Sequence, residues 1–328
     1  MSYISEGIRI GNMYVNNRLV LPPMETVSGS EKGEVKEETL TYYDNMTKSG
    51  LIGLVIVEHS YISPEGKANA RQLSIAEDDK VEGLRNLANT IKGNGSKAVI
   101  QLSHAGSNGP EGVQGTECVG PSPVKNPRKK NDLMPRELTA EEIRALVEKF
   151  AEAAKRAKDA GFDGVEIHSA HGYLLNQFLS PLTNKRSDEY GGELMGRIRF
   201  HLQVIEAARE KVGEDYPVFM RLGASDDMEG GTRIQDSMEA AKVLVAAGVD
   251  VIDITGGMCG FMGPQFTGQG YFSKWSESIK QVVDVPVILT GGITEPEAAE
   301  KLLEEKKADL IGVGRAILKD HDWPRRAM

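Results

Sequence analysis

The stretch at residues 161–192, GFDGVEIHSAHGYLLNQFLSPLTNKRSDEYGG, decides how the chain is read. It opens with a strand: Val165 and Ile167 are apolar and β-branched, and Gly161 closes the helix ahead of the strand predicted at 163–168. That strand delivers His168, His171 and Tyr173 within six residues, where extended chain gives way to a loop. In a parallel α/β barrel the carboxyl end of a strand is the side that carries the active site. Two imidazoles can hold a carbonyl oxygen by hydrogen bonds, and a phenol beside them can supply a proton. One histidine at a strand end would read as a satisfied structural side chain; this trio reads as a site.

Outward from there, strand and helix alternate along the whole chain. Residues 9–17 read as a short hairpin able to plug a barrel floor. Strands are predicted at 18–21, 54–57, 98–102, 163–168, 218–222, 251–254, 287–290 and 309–313, all short runs rich in Val, Ile and Leu. Helices are predicted at 36–49, 81–92, 139–160, 197–211, 235–247, 274–283 and 295–305, and Arg315 starts a last one. Thr139 and Glu142 form a capping-box pattern that opens the third helix. Strands this apolar belong to a parallel sheet covered on both faces. An open doubly wound sheet would alternate in the same way. Eight βα units without a shift in composition favour a closed (β/α)8 TIM barrel occupying residues 1–328 as one domain. Residues 107–138, with five prolines from Pro110 to Pro135, form a long loop that reads as a lid or binding loop.

The chain has 328 residues, and such barrels take about 250 or more. A net charge of -9 argues against a nucleic-acid surface and against attraction to anionic membranes. No apolar run reaches the roughly 18 residues of a membrane span, and residues 1–11 lack a signal pattern. Cys118 and Cys259 provide no disulfide framework, as in a reducing compartment. The expectation is a cytoplasmic enzyme acting on a small molecule, with no nucleic-acid, membrane or metal partner; assembly as a homo-oligomer stays open.

Two further signals come late. The seventh strand ends in Thr290-Gly291-Gly292-Ile293 and the eighth in Gly312-Val313-Gly314-Arg315. Glycine lets backbone approach a ligand closely, and N–H groups at a helix start bind phosphate. In barrels the loops after strands seven and eight are the frequent phosphate site. Tight turns also need glycine, but two pairs at these two ends, with Arg315 beside them, favour a phosphate-bearing ligand.

The segment 166–192, with His168-Ser169-Ala170-His171-Gly172-Tyr173, Phe178-Leu179-Ser180-Pro181 and Arg186-Ser187-Asp188-Glu189-Tyr190-Gly191-Gly192, closely resembles the Old Yellow Enzyme family of flavin oxidoreductases. The resemblance covers the whole chain. It takes in Asn17-Arg18, Pro22-Pro23-Met24, Gln101-Leu102-Ser103-His104-Ala105-Gly106, Arg221 and both glycine pairs. It is strongest to bacterial enoate and 2,4-dienoyl-CoA reductase barrels, whose Asp-Gly-Gly-like loop is echoed in Glu229-Gly230-Gly231.

The resemblance implies FMN as the phosphate ligand, reduced by NADH or NADPH in ping-pong kinetics. Pro23 and Met24, next to Pro22, would line the flavin ring, with Gln101 bonded to its pyrimidine edge and Glu58 along its rim. Arg221 would stand near N1 and C2=O, where positive charge favours the reduced, anionic ring. Gly292, Gly314 and Arg315 would hold the phosphate, and Gly257 and Gly291 complete the expected cofactor set. His168 and His171 would bind the carbonyl or nitro oxygen of an activated alkene, and His168 would also touch the cofactor. That contact strengthens as enolate charge develops. A hydride would pass from flavin N5 to the β-carbon, with Tyr173 protonating the α-carbon.

The sequence departs from the family in places. Glu25 follows Pro-Met where many members have Thr or Cys. Ionised, it would oppose electron uptake; protonated, it could donate a hydrogen bond; or its side chain turns away and Thr26 serves. Ser107 stands where Arg is common. The cysteine cluster of [4Fe–4S] relatives is absent after the barrel, so a single-domain reductase and the barrel portion of a larger Fe–S flavoenzyme, of dienoyl-CoA reductase or amine dehydrogenase type, are both open. His59 and His104 read as flavin-side packing or hydrogen-bonding residues, His201 and His321 as solvated positions on helices. The basic run 125–130 reads as an exposed loop face able to attract phosphates of CoA or NADPH.

The expected function is therefore an FMN-dependent ene-reductase acting on α,β-unsaturated carbonyl compounds. An amine dehydrogenase is a rival in the same fold, and a non-catalytic flavin-binding subunit is another. A sugar-phosphate lyase or isomerase lacks a strand-end lysine for a Schiff base, since Lys97 starts its strand.

Overall fold

The computed structural model describes residues 2–109, 117–129 and 133–328. Its strands are β1 (Ile8–Ile10), β2 (Met13–Val15), β3 (Leu19–Leu21), β4 (Leu54–Tyr61), β5 (Lys97–Ser103), β6 (Val119–Gly120), β7 (Arg136–Glu137), β8 (Gly164–Ser169), β9 (Val218–Gly223), β10 (Val251–Thr255), β11 (Val287–Thr290) and β12 (Leu310–Gly312). The helices are α1 (Glu37–Thr47), α2 (Val81–Gly93), α3 (Ala140–Asp159), α4 (Leu174–Leu179), α5 (Leu194–Arg197), α6 (Arg199–Val212), α7 (Ile234–Ala246), α8 (Ser273–Lys280), α9 (Pro296–Glu304), α10 (Arg315–Lys319) and α11 (Trp323–Ala327). Eight parallel strands close into a barrel in the order β10-β11-β12-β3-β4-β5-β8-β9. The capping box of α3 is present: Glu142 N–H donates to Thr139 Oγ1 at 3.2 Å, and Thr139 N–H donates to Glu142 Oε2 at 2.8 Å. None of the described helices is long and apolar enough to cross a membrane.

Side chains alternate across each barrel strand. Ala98, Ile100, Val165, Ile167 and Met220 point outward into the layer under the helices, whereas Val99, Phe219, Val251 and Ile288 fill the interior. The β1–β2 hairpin pairs Ile8 with Val15 and sends Ile10, Met13 and Val15 into that same interior cluster. Burying such side chains stabilises by about 1.5–3 kcal/mol each. The hairpin thus plugs one end of the barrel. Two residues beyond the floor, the inward positions turn polar: Gln101 follows Val99, Arg221 follows Phe219 and Asp253 follows Val251.

Several boundaries differ from expectation. β4 runs on to Tyr61 through Glu58 and His59, with an irregularity in its pairing between Val57 and Ser60. α4 and the short parallel pair β6–β7 were not anticipated. The expected lid at 107–138 falls partly on residues 110–116 and 130–132, which lie outside the described residues.

Candidate active site

β8 carries His168 to the barrel mouth, and the turn after it brings the trio together. Ring centroids of His168 lie 5.1 Å from His171 and 4.7 Å from Tyr173. His171 adopts φ +57°, an uncommon conformation for a non-glycine residue, and Gly172 follows at +71°. The surroundings hold it there. His171 N–H donates to Gly256 O at 3.3 Å, its carbonyl accepts from Asn108 Nδ2, and its Nε2 meets Thr255 Oγ1 at 2.9 Å. His168 Nδ1 is buried without a protein partner. Burial drives both imidazoles well below their ordinary pKa, helped by His59 and Arg221 for His168 and by His168 and Arg221 for His171. Burial, then the charge of Glu25, pushes the Tyr173 phenol up. The site therefore presents two neutral imidazoles and a protonated phenol.

The sequence placed His59 beside the ligand, and the structure adds it to this cluster. Its ring lies 5.4 Å from Tyr173 and 6.4 Å from His168. Gln72 Nε2 donates to its Nδ1 at 2.6 Å, so the Nε2 proton faces Glu25 Oε1 at 3.5 Å. The bond to His59 lowers the Glu25 pKa most, against its burial, and Asn69 also donates to this carboxylate. Glu25 is accordingly ionised. Thr26 is engaged elsewhere: its N–H and Oγ1 donate to Glu58 at 2.9 and 2.6 Å, and its Oγ1 also meets Ser28. Glu58 is buried, pairs with no arginine among the described residues, and pins the loop after β3; burial raises its pKa against the Thr26 bonds.

Beneath the mouth lies a buried polar layer. Gln101 Nε2 donates to Glu166 Oε1 at 2.7 Å, and Arg221 Nη1 donates to Asp253 Oδ2 at 2.8 Å. Arg221 Nε lacks a partner, and Glu166 and Asp253 face each other across a single shared proton. One guanidinium cannot balance two buried carboxylates. Burial and then Asp253 raise Glu166 well above the usual range, so Glu166 is the protonated member and Asp253 the one facing Arg221.

The glycine turns gather on the same rim, because β12 pairs with both β11 and β3. A Cβ on Gly314 would lie 2.6 Å from Met24 Sδ and 3.3 Å from Pro22, which places the segment Pro22-Pro23-Met24 against the start of α10. Gly292 has φ +66°, and a Cβ there would meet Tyr271; one on Gly291 would reach the same ring at 2.8 Å. Thr290 Oγ1 is buried and unpartnered. Arg315 is exposed and contacts Met262 Sδ at 3.3 Å, with no described carboxylate in ion-pair range. Gly257 instead donates its N–H to Ser225 O at 2.8 Å.

Other expectations need correction. His201 is fully buried, not solvated: its Nε2 meets Ser169 Oγ at 2.8 Å, and burial takes its pKa down to about 3. His321 is exposed but precedes α11. His104 is absent from the histidine cluster. Its Nδ1 accepts from Gly106 N–H, and it lines a separate cavity of about 260 Å3 with Glu65, Leu138, Leu146 and Lys149. Of the basic run, Lys130 lies outside the described residues, while Asn126 is buried and Arg128 half-buried, so this is not simply an exposed face. Ser107 Oγ accepts from Asn126 Nδ2 at 3.0 Å, which ties that loop to the site.

A family model described as NADH:flavin oxidoreductase / NADH oxidase matches residues 4–328. The NADH oxidase of Thermoanaerobacter brockii is 42% identical over 329 residues, covering 98% of this chain and 50% of that protein. The chain thus spans about half the length of that relative. The NADPH dehydrogenase of Clostridium acetobutylicum is 39% identical over 319 residues, covering 97% of this chain and 92% of its own. Among solved structures, the Old Yellow Enzyme homologue of Zymomonas mobilis superposes with a TM-score of 0.85 at 29% identity, over 98% of this chain and 91% of that one. With a closed eight-stranded barrel, a ring cluster at its mouth and a glycine-rich rim beside it, this chain belongs to the NADH:flavin oxidoreductase / NADH oxidase family and is an Old Yellow Enzyme-type protein.

Proposed function

We propose that the chain is an FMN-dependent NAD(P)H oxidoreductase that reduces the C=C bond of α,β-unsaturated carbonyl compounds. The observation that carries this reading is the meeting, on one rim, of two neutral imidazoles, a protonated phenol and a glycine-lined cradle with an arginine that meets no described carboxylate. The residues present fit FMN. The turns at Gly292 and Gly314, with Arg315, suit a phosphate; Pro23 and Met24 offer an apolar edge; the unpartnered Arg221 Nε suits a group that gains negative charge. When bound, FMN supplies hydride transfer from NADH or NADPH to the alkene.

The protein's own residues do the rest. His168 and His171 donate to the substrate carbonyl oxygen, and being neutral they lose little to competing charge. Their bonds strengthen as that oxygen becomes an enolate, which lowers the barrier. Tyr173 remains protonated and delivers its proton to the α-carbon. Glu25, ionised against His59, sets a negative charge near the ring cluster and disfavours further negative charge there.

The test is optical. Purified protein offered FMN should turn yellow, bleach anaerobically with NADPH or NADH, and recolour when 2-cyclohexenone is added. Folded protein that takes up no FMN ends the proposal. Bleaching without recolouring by any activated alkene removes the ene-reductase part of it.

A further inference from the structure

Between β6 and β7 the chain turns inward at Asn126. Asn126 is 1% exposed and donates from Nδ2 to Ser107 Oγ and Gly172 O, while its Oδ1 accepts from Arg128 N–H at 3.0 Å. This fixes where Arg128 goes. Its Cδ would stand 2.5 Å from a Cβ on Gly172, and its guanidinium lies directly against Gly260. Those glycines flank Tyr173 and Phe261, and the Phe261 ring packs 4.9 Å from His171. Arg128 makes one long bond, from Nη1 to Met258 O at 3.4 Å, and its Nε is buried without a partner. No described carboxylate comes within ion-pair distance. A half-buried cation with no counter-charge among the described residues offers a place for an anion to meet it. A guanidinium matches a carboxylate in bidentate geometry.

We propose that Arg128 determines substrate specificity by binding a carboxylate that the substrate carries within a few bonds of its activated alkene. This rests on the ene-reductase reading and narrows its substrate class to unsaturated keto acids and related anions. A dinucleotide phosphate is the other source of negative charge. The ribose of such a cofactor separates its reacting ring from the nearest phosphate, whereas Arg128 lies against the turn that carries His171 and Tyr173.

The experiment compares holoenzyme with Arg128→Met and Arg128→Lys, using (E)-4-oxopent-2-enoate and its methyl ester. The two share alkene and ketone and differ in charge. In Arg128→Met the acid-to-ester ratio of kcat/KM should fall at least about ten-fold, mainly through KM, and Arg128→Lys should recover part of it. Calorimetric binding of the saturated 4-oxopentanoate should weaken by a similar factor. That arm decides the inference even if neither compound is reduced, so failure of the ene-reductase reading is told apart. An unchanged ratio with unchanged binding overturns the proposal. So does a rise confined to the KM of NADH or NADPH, which would assign Arg128 to the cofactor phosphate.

Discussion

Replacing Arg221 by methionine probes the balance of charge beneath the barrel mouth. Arg221 is 5% exposed, and Glu166 and Asp253 are 0% exposed. Among the described residues, no other cation bonds either carboxylate. Methionine keeps much of the side-chain volume and removes the charge. Cutting one partner from a buried pair costs about 3–5 kcal/mol when the other charge is left stranded. Asp253 can escape by taking up a proton, and that escape depends on pH. Burial already raises Asp253 above its unfolded value in the wild type, against the pull of Arg221; without Arg221 it rises further, so between the two folded pKa values the variant holds a proton that wild type has released. Stability is then lost as pH rises, at about 1.4 kcal/mol per unit between the two pKa values. The gap between wild type and variant should be smallest at pH 5 and widen as pH rises, towards about 3–4 kcal/mol. Glu166 moves in the same direction, because Arg221 also pulls its pKa down and that pull is lost in the variant. Urea denaturation of both proteins, stripped of flavin, at pH 5, 6, 7 and 8 measures the gap. A gap independent of pH, or none at pH 7, refutes the charge assignment.

Three further outcomes are expected. Tyr173→Phe should slow the alkene half-reaction by about 10²–10⁴-fold while sparing flavin reduction by NAD(P)H; equal losses in both, read by stopped-flow absorbance, would remove it as proton donor. Glu25→Gln should raise the flavin reduction potential by about 10–30 mV, since it deletes an ionised carboxylate near the ring cluster; an unchanged or lower potential in dye-coupled titration contradicts that placement. His201 is held neutral down to about pH 3, against about 6.5 when unfolded. Its contribution is full above pH 6.5 and is lost as pH falls through that window, so His201→Gln should flatten the acid limb of the melting curve between pH 6.5 and 4. Parallel acid limbs would sink this assignment.

The eight strands were legible because each is a short apolar run, and tertiary packing moved most of their ends by only a residue or so, lengthening more of them than it shortened. α4 was not, since Leu174–Leu179 is buried on every side and shows no periodic face. The extension of β4 escaped notice because Glu58 and His59 look like loop residues; their partners Thr26, Glu25 and Gln72 come from segments distant in sequence. For His201 a signal existed. Phe200, His201, Val204, Ile205 and Ala208 are the buried face of α6, and helical spacing places the histidine on it. Residue type outweighed geometry in that reading. His168, His171 and Tyr173 were found because they are local to one strand end. Arg128 was read as solvated because its inward course depends on bonds from Asn126 to two other loops.

The side chains that fill the barrel, sealed below by the hairpin, leave the mouth as the face that ligands can use. Under the proposed function, reductant and alkene would share that mouth, and each would have to leave before the next is admitted. An excess of either should then obstruct the other, and throughput should peak at intermediate concentrations of both.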